Sequence, residues 1–274
     1  MQWTKNLLVF AGIVFAAKLD DAGRWFEAVL IFVAFCLASS ASYLVNDVHD
    51  VAEDRAHPVK RARPVASGEL SERAALVGAA VLALLALAIV VPAGWESVAF
   101  VALFLVLQGA YTLQLKHVVL VDVLVVASLF VVRAAVGAVG IDVRLSPWLV
   151  LCTGLLALFL ALGKRRGELV LVGADQTPGR PVLEGYSLEL VEQLLAVVTA
   201  STISAYSIYT FTATDSSAMM LTIPFVIFGL FRYLFLIHRR DLGEEPDRVA
   251  VTDVPIIATV VLWVATAAVI LVVS

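Results

Sequence analysis

An all-α bundle of helices embedded in a membrane is the fold class this sequence predicts, and three observations predict it. Sixty-one per cent of the 274 residues are hydrophobic and the mean hydropathy is +0.97, well above the apolar content of soluble domains. Apolar runs of about 20 residues, the length that crosses a hydrocarbon core of roughly 30 Å, alternate with short polar breaks from end to end. The Lys and Arg residues gather on alternate breaks, as they do on the loops of a multi-pass protein.

Taken in order, nine spans are expected, at 6–18, 26–47, 74–92, 96–114, 118–140, 146–163, 188–211, 217–237 and 254–273. The first is short, and the run from Met1 to Ala17 reads as an insertion signal and not as a cleaved leader. Pro92-Ala93-Gly94 ends the third span, Ser146-Pro147 opens the sixth and Pro255 opens the ninth; proline suits a first helical turn and is costly later. Trp3, Trp25, Trp95 and Trp148 lie near span ends, where interfacial anchors sit. Cys36 and Cys152 fall inside apolar runs and read as small buried hydrophobes, neither a disulfide nor a metal pair. Residues 1–274 read as one domain with no soluble domain appended.

Of the 19 Lys and Arg residues, fourteen fall on one side of this layout, three (Lys18, Arg24 and Arg144) on the other, and Arg133 and Arg232 within spans. The positive-inside rule makes the crowded side cytoplasmic, with the amino terminus inside, the carboxyl terminus outside and the inner (plasma) membrane as the location. The long polar loops near 48–73, 164–187 and 238–253 all land there, so function is expected on that side. A net charge of −4 averages over two unlike faces, and with no basic domain outside the membrane, nucleic acid is excluded as a partner.

The strongest chemical signal is Asn46-Asp47-Val48-His49-Asp50-Val51-Ala52-Glu53-Asp54 at the end of the second span. On a helix Asn46, Asp50 and Asp54 recur every four residues and Asp47 is one turn from Asp50, so several carboxylates share a face. Like charges so placed need water or a cation, and oxygen ligands select Mg²⁺, with Mn²⁺ as a substitute. Lys60, Arg61 and Arg63 follow at once. Acids for a metal followed by bases for phosphate oxygens make a diphosphate site.

Further along stand Tyr111, Lys116 and Asp122, then Arg133 deep in an apolar run. Asp122 and Arg133 are eleven residues apart and share a helix face. An intramembrane arginine marks a functional site by default and calls for an anionic partner, either a helix carboxylate or a ligand. Lys164-Arg165-Arg166-Gly167-Glu168 closes the sixth span, with Lys164 and Glu168 one turn apart.

Asn-Asp-x-x-Asp-x-x-x-Asp at 46–54, Arg-Pro-x-Ala-Ser-Gly at 63–68, Tyr-x-x-x-x-Lys at 111–116 and the nine-span layout resemble the UbiA-type intramembrane prenyltransferase superfamily. The resemblance implies a UbiA-like bundle with a cytoplasmic-facing active site. It also implies a second acidic motif after the sixth span, where this sequence has Gly163-Lys164-Arg165-Arg166-Gly167-Glu168-Leu169 instead. That departure, with Gln2-Trp3-Thr4-Lys5-Asn6 and His57-Pro58-x-Lys60, is similar to one branch, the decaprenyl-phosphate phosphoribosyltransferases.

The branch implies transfer of a 5-phosphoribosyl group from 5-phosphoribosyl diphosphate to polyprenyl (decaprenyl) phosphate, releasing diphosphate, in the making of cell-wall arabinan precursors. Two more phosphates at the site would explain bases where relatives keep acids. On this reading Asn46, Asp47, Asp50 and Asp54 hold the metal. Lys60, Arg61, Arg63, Lys116, Lys164 and Arg165 grip phosphates, with Tyr111, Asp122 and Glu168 beside them, and Arg133 or Lys5 meets the lipid phosphate. Prenyl transfer to an aromatic acceptor and membrane transport are the alternatives, and homo-oligomerisation is left open by the sequence.

Overall fold

The computed structural model describes residues 2–15, 21–56, 60–175, 181–212, 217–239 and 252–273, and among these the chain is helical with no strand. The α-helices are α1 (Ala11–Phe15), α2 (Ala22–His49), α3 (Val51–Ala56), α4 (Pro64–Ser67), α5 (Glu72–Ile89), α6 (Trp95–Leu113), α7 (Val121–Val139), α8 (Pro147–Asp175), α9 (Leu188–Thr212), α10 (Ile223–Arg239) and α11 (Val254–Val273). Two compact units emerge, one of Met1–Lys116 with Leu129–Leu145, the other of His117–Ser128 with Ser146–Ser274. Helix α7 begins in the second and continues into the first.

In the first unit α2 is the central element, packed by α5, α6 and the 3₁₀ helix Gln2–Phe10. Asp21 caps it, accepting from the amides of Gly23 and Arg24; such a cap satisfies donors that a helix start leaves open. Its buried stripe, including Ala28, Ile31, Phe35 and Ala38, repeats at helical spacing, and Phe35 meets Phe104 of α6 with ring centroids 5.1 Å apart. Between α5 and α6, Gly94 adopts φ 90°, a conformation that suits glycine alone. In the second unit α8, α9, α10 and α11 enclose Phe159, Leu162, Leu195, Leu230, Leu236 and Ile237.

Seven helices among the described residues are long and apolar enough to cross a membrane, where nine spans are expected from hydropathy. The difference lies at the ends. Instead of one helix over 6–18, the 3₁₀ helix Gln2–Phe10 runs into the short α1, and 16–20 lie outside the described residues. At the far end the apolar stretch of α11, Val254–Ile270, is shorter than the others.

The polar loop expected from 164 is also corrected. Helix α8 carries on to Asp175, so Lys164, Arg165 and Glu168 are helical, and only Gly167 weakens that turn, against an Arg165–Glu168 pair one turn apart. Lys18, His57, Pro58, Arg180 and residues 240–251 of the expected 238–253 loop, Arg240 and Arg248 among them, lie outside the described residues.

One packing contact sets how α1 meets α7. A Cβ at Gly137 would lie 2.0 Å from the Val9 carbonyl oxygen, and one at Gly12 would lie 2.1 Å from that of Gly137. Backbone cannot yield as a side-chain tip can, so Gly137→Ala forces the segments apart. The expected loss is about 2 kcal/mol, read as a lower unfolding temperature in detergent; an unchanged midpoint would show that the approach is not required.

Candidate functional site

The acidic end of α2 and the chain that follows form a folded-back acid–base cluster in the first unit. Asn46 and Asp47 occupy the last turn of α2, Asp50 caps it, and Asp54 lies buried in α3. The chain then returns. Arg63 is extended at φ −65°, ψ 144°, Pro64 starts α4, and Gly68 at φ 86° stops it. Arg55 fastens the return by donating from Nε to the Ala66 carbonyl at 3.2 Å.

The return aims Arg63 at the acids. Its Nη1 donates to Asp47 Oδ1 at 2.9 Å and to Asp54 Oδ2 at 2.8 Å. A second base enters just after α6, where buried Lys116 donates from Nζ to Asp50 Oδ1 at 2.5 Å. Asn46 donates from Nδ2 to Asp50 Oδ2 at 3.0 Å, and His49 Nδ1 lies 2.9 Å from Asp50 Oδ1. The expected four-residue repeat is therefore split: Asp47 and Asp54 share Arg63, while Asp50 takes Lys116 and the amide of Asn46. Arg61 is exposed, and Lys60, Tyr111 and Lys5 are half-buried.

Deeper in the same unit, Arg133 is only 6% exposed. Its Nε donates to Asn6 Oδ1 at 2.8 Å and its Nη1 to the Leu129 carbonyl at 2.8 Å. Its guanidinium lies 4.6 Å from the Phe104 ring centroid and 5.5 Å from that of Phe130. Of the anionic partners expected, a helix carboxylate or a ligand, Asp122 does not serve, being about 16 Å away along the helix axis at 1.5 Å per residue, and no carboxylate among the described residues pairs with it. Neutral amide, carbonyl and ring faces hold the charge instead.

A separate network lies in the second unit. Asp122, wholly buried, accepts from Arg165 Nη2 at 2.6 Å and from the Tyr186 hydroxyl at 2.5 Å. Arg165 also donates from Nη1 to Glu168, and its buried Nε has no partner among the described residues. Tyr186 accepts from the Leu120 amide at 2.8 Å. Leu120 has φ 68°, a left-handed conformation uncommon for leucine. Arg165 thus spends its fork on two carboxylates, whereas Lys164 beside it is exposed. Arg166 turns elsewhere, donating to the Ile237 carbonyl at 2.8 Å and to Glu192 at 3.3 Å.

Tyr186 had no signal in the sequence, since one tyrosine in a polar stretch resembles any other. Asn6 lies in a quoted motif, but its pairing with Arg133 spans 127 positions and has no local signature.

Known proteins resemble this chain in sequence and in fold. Residues 7–251 match the UbiA prenyltransferase family. A decaprenyl-phosphate phosphoribosyltransferase of Mycolicibacterium smegmatis is 34% identical over 97% of this chain and 88% of its own, and one of Mycobacterium tuberculosis is 33% identical over 97% and 89%. Among solved structures, a UbiA homolog from Archaeoglobus fulgidus bound to DMAPP and Mg²⁺ superposes with a TM-score of 0.75 at 19% identity, covering 96% of this chain and 93% of that one.

Burial opposes the charge of Asp50, but hydrogen bonds from Lys116 and His49 outweigh it and hold the carboxyl below its usual range. A lowered folded-state pKa gives stability that is present above the unfolded value and lost as pH falls through the folded one. Lys116→Met leaves burial less opposed, which raises the pKa. The variant is expected to be less stable at neutral pH by about 1–3 kcal/mol, with the gap in unfolding temperature narrowing as pH falls through about 4. An equal gap at pH 3.5 and pH 7 would remove this ion pair from the account of stability.

Proposed function

The chain belongs to the UbiA prenyltransferase family, and on that footing we propose that it transfers the 5-phosphoribosyl group of 5-phosphoribosyl diphosphate to polyprenyl (decaprenyl) phosphate. Polyprenyl-phosphoryl 5-phosphoribose and diphosphate are the products. The observation that carries this reading is kinship with decaprenyl-phosphate phosphoribosyltransferases along 97% of the chain. The Lys-Arg-Arg sequence at 164–166 supports it, standing where a prenyl-diphosphate enzyme is expected to have acids.

The acid cluster suits a hard divalent cation. Arg63 Nη1 already occupies a point 2.9 Å and 2.8 Å from oxygens of Asp47 and Asp54. No group of three or more His, Cys, Asp or Glu converges as a metal site among the described residues, but Mg²⁺ needs only one or two carboxylates with waters and substrate phosphates. Asp47 and Asp54 would hold it, with Asp50 and Asn46 alongside, and when bound it offsets the charge of the leaving diphosphate. Arg63, released from the carboxylates, turns its fork to the diphosphate oxygens, and Lys60 and Arg61 add charge from the same segment. Exposed Lys164 reads the 5-phosphate, while Arg165, locked to Asp122 and Glu168, fixes the helix turn that presents it.

The lipid phosphate oxygen attacks ribose C1 from the face opposite the diphosphate. The new C1–O bond forms as the old one breaks, its electron pair leaves with diphosphate, and C1 inverts. A phosphate monoester with a second pKa of about 6 is already largely ionised, so no side chain need take a proton. The site faces the cytoplasm of an inner-membrane protein whose amino terminus is inside, and the product feeds arabinan of the cell wall.

Purified protein with labelled 5-phosphoribosyl diphosphate and decaprenyl phosphate tests the reading directly. Asp54→Ala is expected to lower kcat by about 10²–10³-fold, a loss typical of removing one charge-stabilising group, and a chelator should act likewise. Lys164→Ala should raise the KM for 5-phosphoribosyl diphosphate about tenfold without moving that for the lipid. Efficient transfer of an isoprenyl group to an aromatic acceptor, with none of phosphoribose, would overturn the assignment.

A further inference from the structure

We propose that Arg133, together with Tyr43, is the seat of the acceptor's phosphate, a phosphate monoester that binds at the open edge of the guanidinium. This rests on the reading that the acceptor is a polyprenyl phosphate. Among the described residues four bases are more than nine-tenths buried: Lys116, Arg133, Arg165 and Arg166. Three of them are ion-paired, Lys116 with Asp50, Arg165 with Asp122 and Glu168, and Arg166 with Glu192. Arg133 instead meets the neutral amide of Asn6 and the carbonyl of Leu129. A full charge held in a membrane by neutral groups is costly, and the cost falls when an anion joins it.

The guanidinium also shows where that anion enters. Phe104 and Phe130 lie against it, with ring centroids at 4.6 Å and 5.5 Å, and Nε and Nη1 are engaged. Nη2 has no partner among the described residues, and unlike Arg165 Nε it is not sealed in. One edge of the fork is thus left for a ligand oxygen. Tyr43 of α2 stands within electrostatic range of the same charge. It is half-buried, and its hydroxyl, also without a partner among the described residues, is not enclosed. It can therefore donate to the same anion.

Helix α2 ties this seat to the acid cluster. Asn6, which holds Arg133, donates to Cys36 Sγ and Ser39 Oγ, both at 3.4 Å. Cys36, Ser39, Tyr43, Asp47 and Asp50 follow one another at steps of three, four, four and three residues, so they form one stripe of the helix. Tyr43 lies about 6 Å further into α2 than Asp47, and Ser39 about 12 Å, at 1.5 Å per residue. Arg133, Asn6, Tyr43 and the acids all belong to the first unit. The attacking phosphate has to lie across the ribose from the diphosphate, and one to two helical turns inward from the acids leaves room for a sugar between them. Inorganic phosphate has nothing to offset leaving water at that depth, whereas a lipid phosphate arrives with its chain already in hydrocarbon.

The test uses full-length protein in detergent, with Kd measured by native mass spectrometry for decaprenyl phosphate and for decaprenol, which lacks the phosphate. Asn6→Asp places a carboxylate beside Arg133. It supplies the missing counter-ion, so the unfolding midpoint should hold or rise, but it spends the charge on the protein. Decaprenyl phosphate binding should weaken about tenfold, with decaprenol binding and the KM for 5-phosphoribosyl diphosphate unmoved. Tyr43→Phe keeps the ring, removes the hydroxyl and should weaken decaprenyl phosphate about threefold. A purely structural Arg133 predicts a stable Asn6→Asp protein that binds decaprenyl phosphate as the wild type does, and that result overturns the proposal. So does an equal loss of decaprenol, which would mean altered shape, or a rise confined to the KM for 5-phosphoribosyl diphosphate, which would make the anion the donor. If Asn6→Asp lowers the midpoint, Tyr43→Phe decides, and an unchanged preference for the phosphate over the alcohol in that variant overturns the proposal. Decaprenyl phosphate binding that Asn6→Asp weakens, in a protein that transfers no phosphoribose, would keep the seat and discard the reaction.

Discussion

Everything at the candidate site follows from setting several carboxylates at the end of a helix long and apolar enough to cross a membrane. Charges there are too costly to leave unmatched and too close to one another to be matched by water alone. The chain answers with two bases from different directions, Arg63 from the segment just after the acids and Lys116 from the end of α6. Arg63 thereby bridges Asp47 and Asp54, and Lys116 answers Asp50, so each carboxylate of the cluster has a cationic partner within the same unit.

The second unit solves the same problem with a permanent answer. Asp122, Arg165, Glu168 and Tyr186 satisfy one another inside the protein. Breaking such a buried set would leave uncompensated charge. Within that set Arg165 is held by two carboxylates, while Lys164, one residue before it, is exposed.

Much of this was legible in the sequence, for reasons that differ by element. The spans in the middle of the chain could be read because hydropathy is additive along a helix and insensitive to its neighbours. The acid motif was readable because five oxygen-bearing side chains within nine residues have no cheap resting place in lipid. Arg63's role was half-visible: its charge is in the motif, but its reach back to Asp47 depends on the turn made by Pro64 and Gly68. Asn6 with Arg133, and Tyr186 with Asp122, join residues 127 and 64 positions apart and could not be read at all. The end of α8 runs past the loop that polarity predicts, because a basic run with an acid one turn on is equally at home in a helix.

The left-handed Leu120 bears on how the protein is made. Its amide is held by the hydroxyl of Tyr186, a residue 66 positions further along the chain. At about 5–20 residues per second, roughly 3–13 seconds of synthesis separate the two. During that interval the connection between α6 and α7 lacks the hydrogen bond that rewards its conformation, although α7 itself is completed well before Tyr186 is made. The ribosome therefore delivers the start of α7 as a provisional structure, and its final geometry is written only after the helix carrying Arg165 has been completed and the chain has turned back to supply Tyr186.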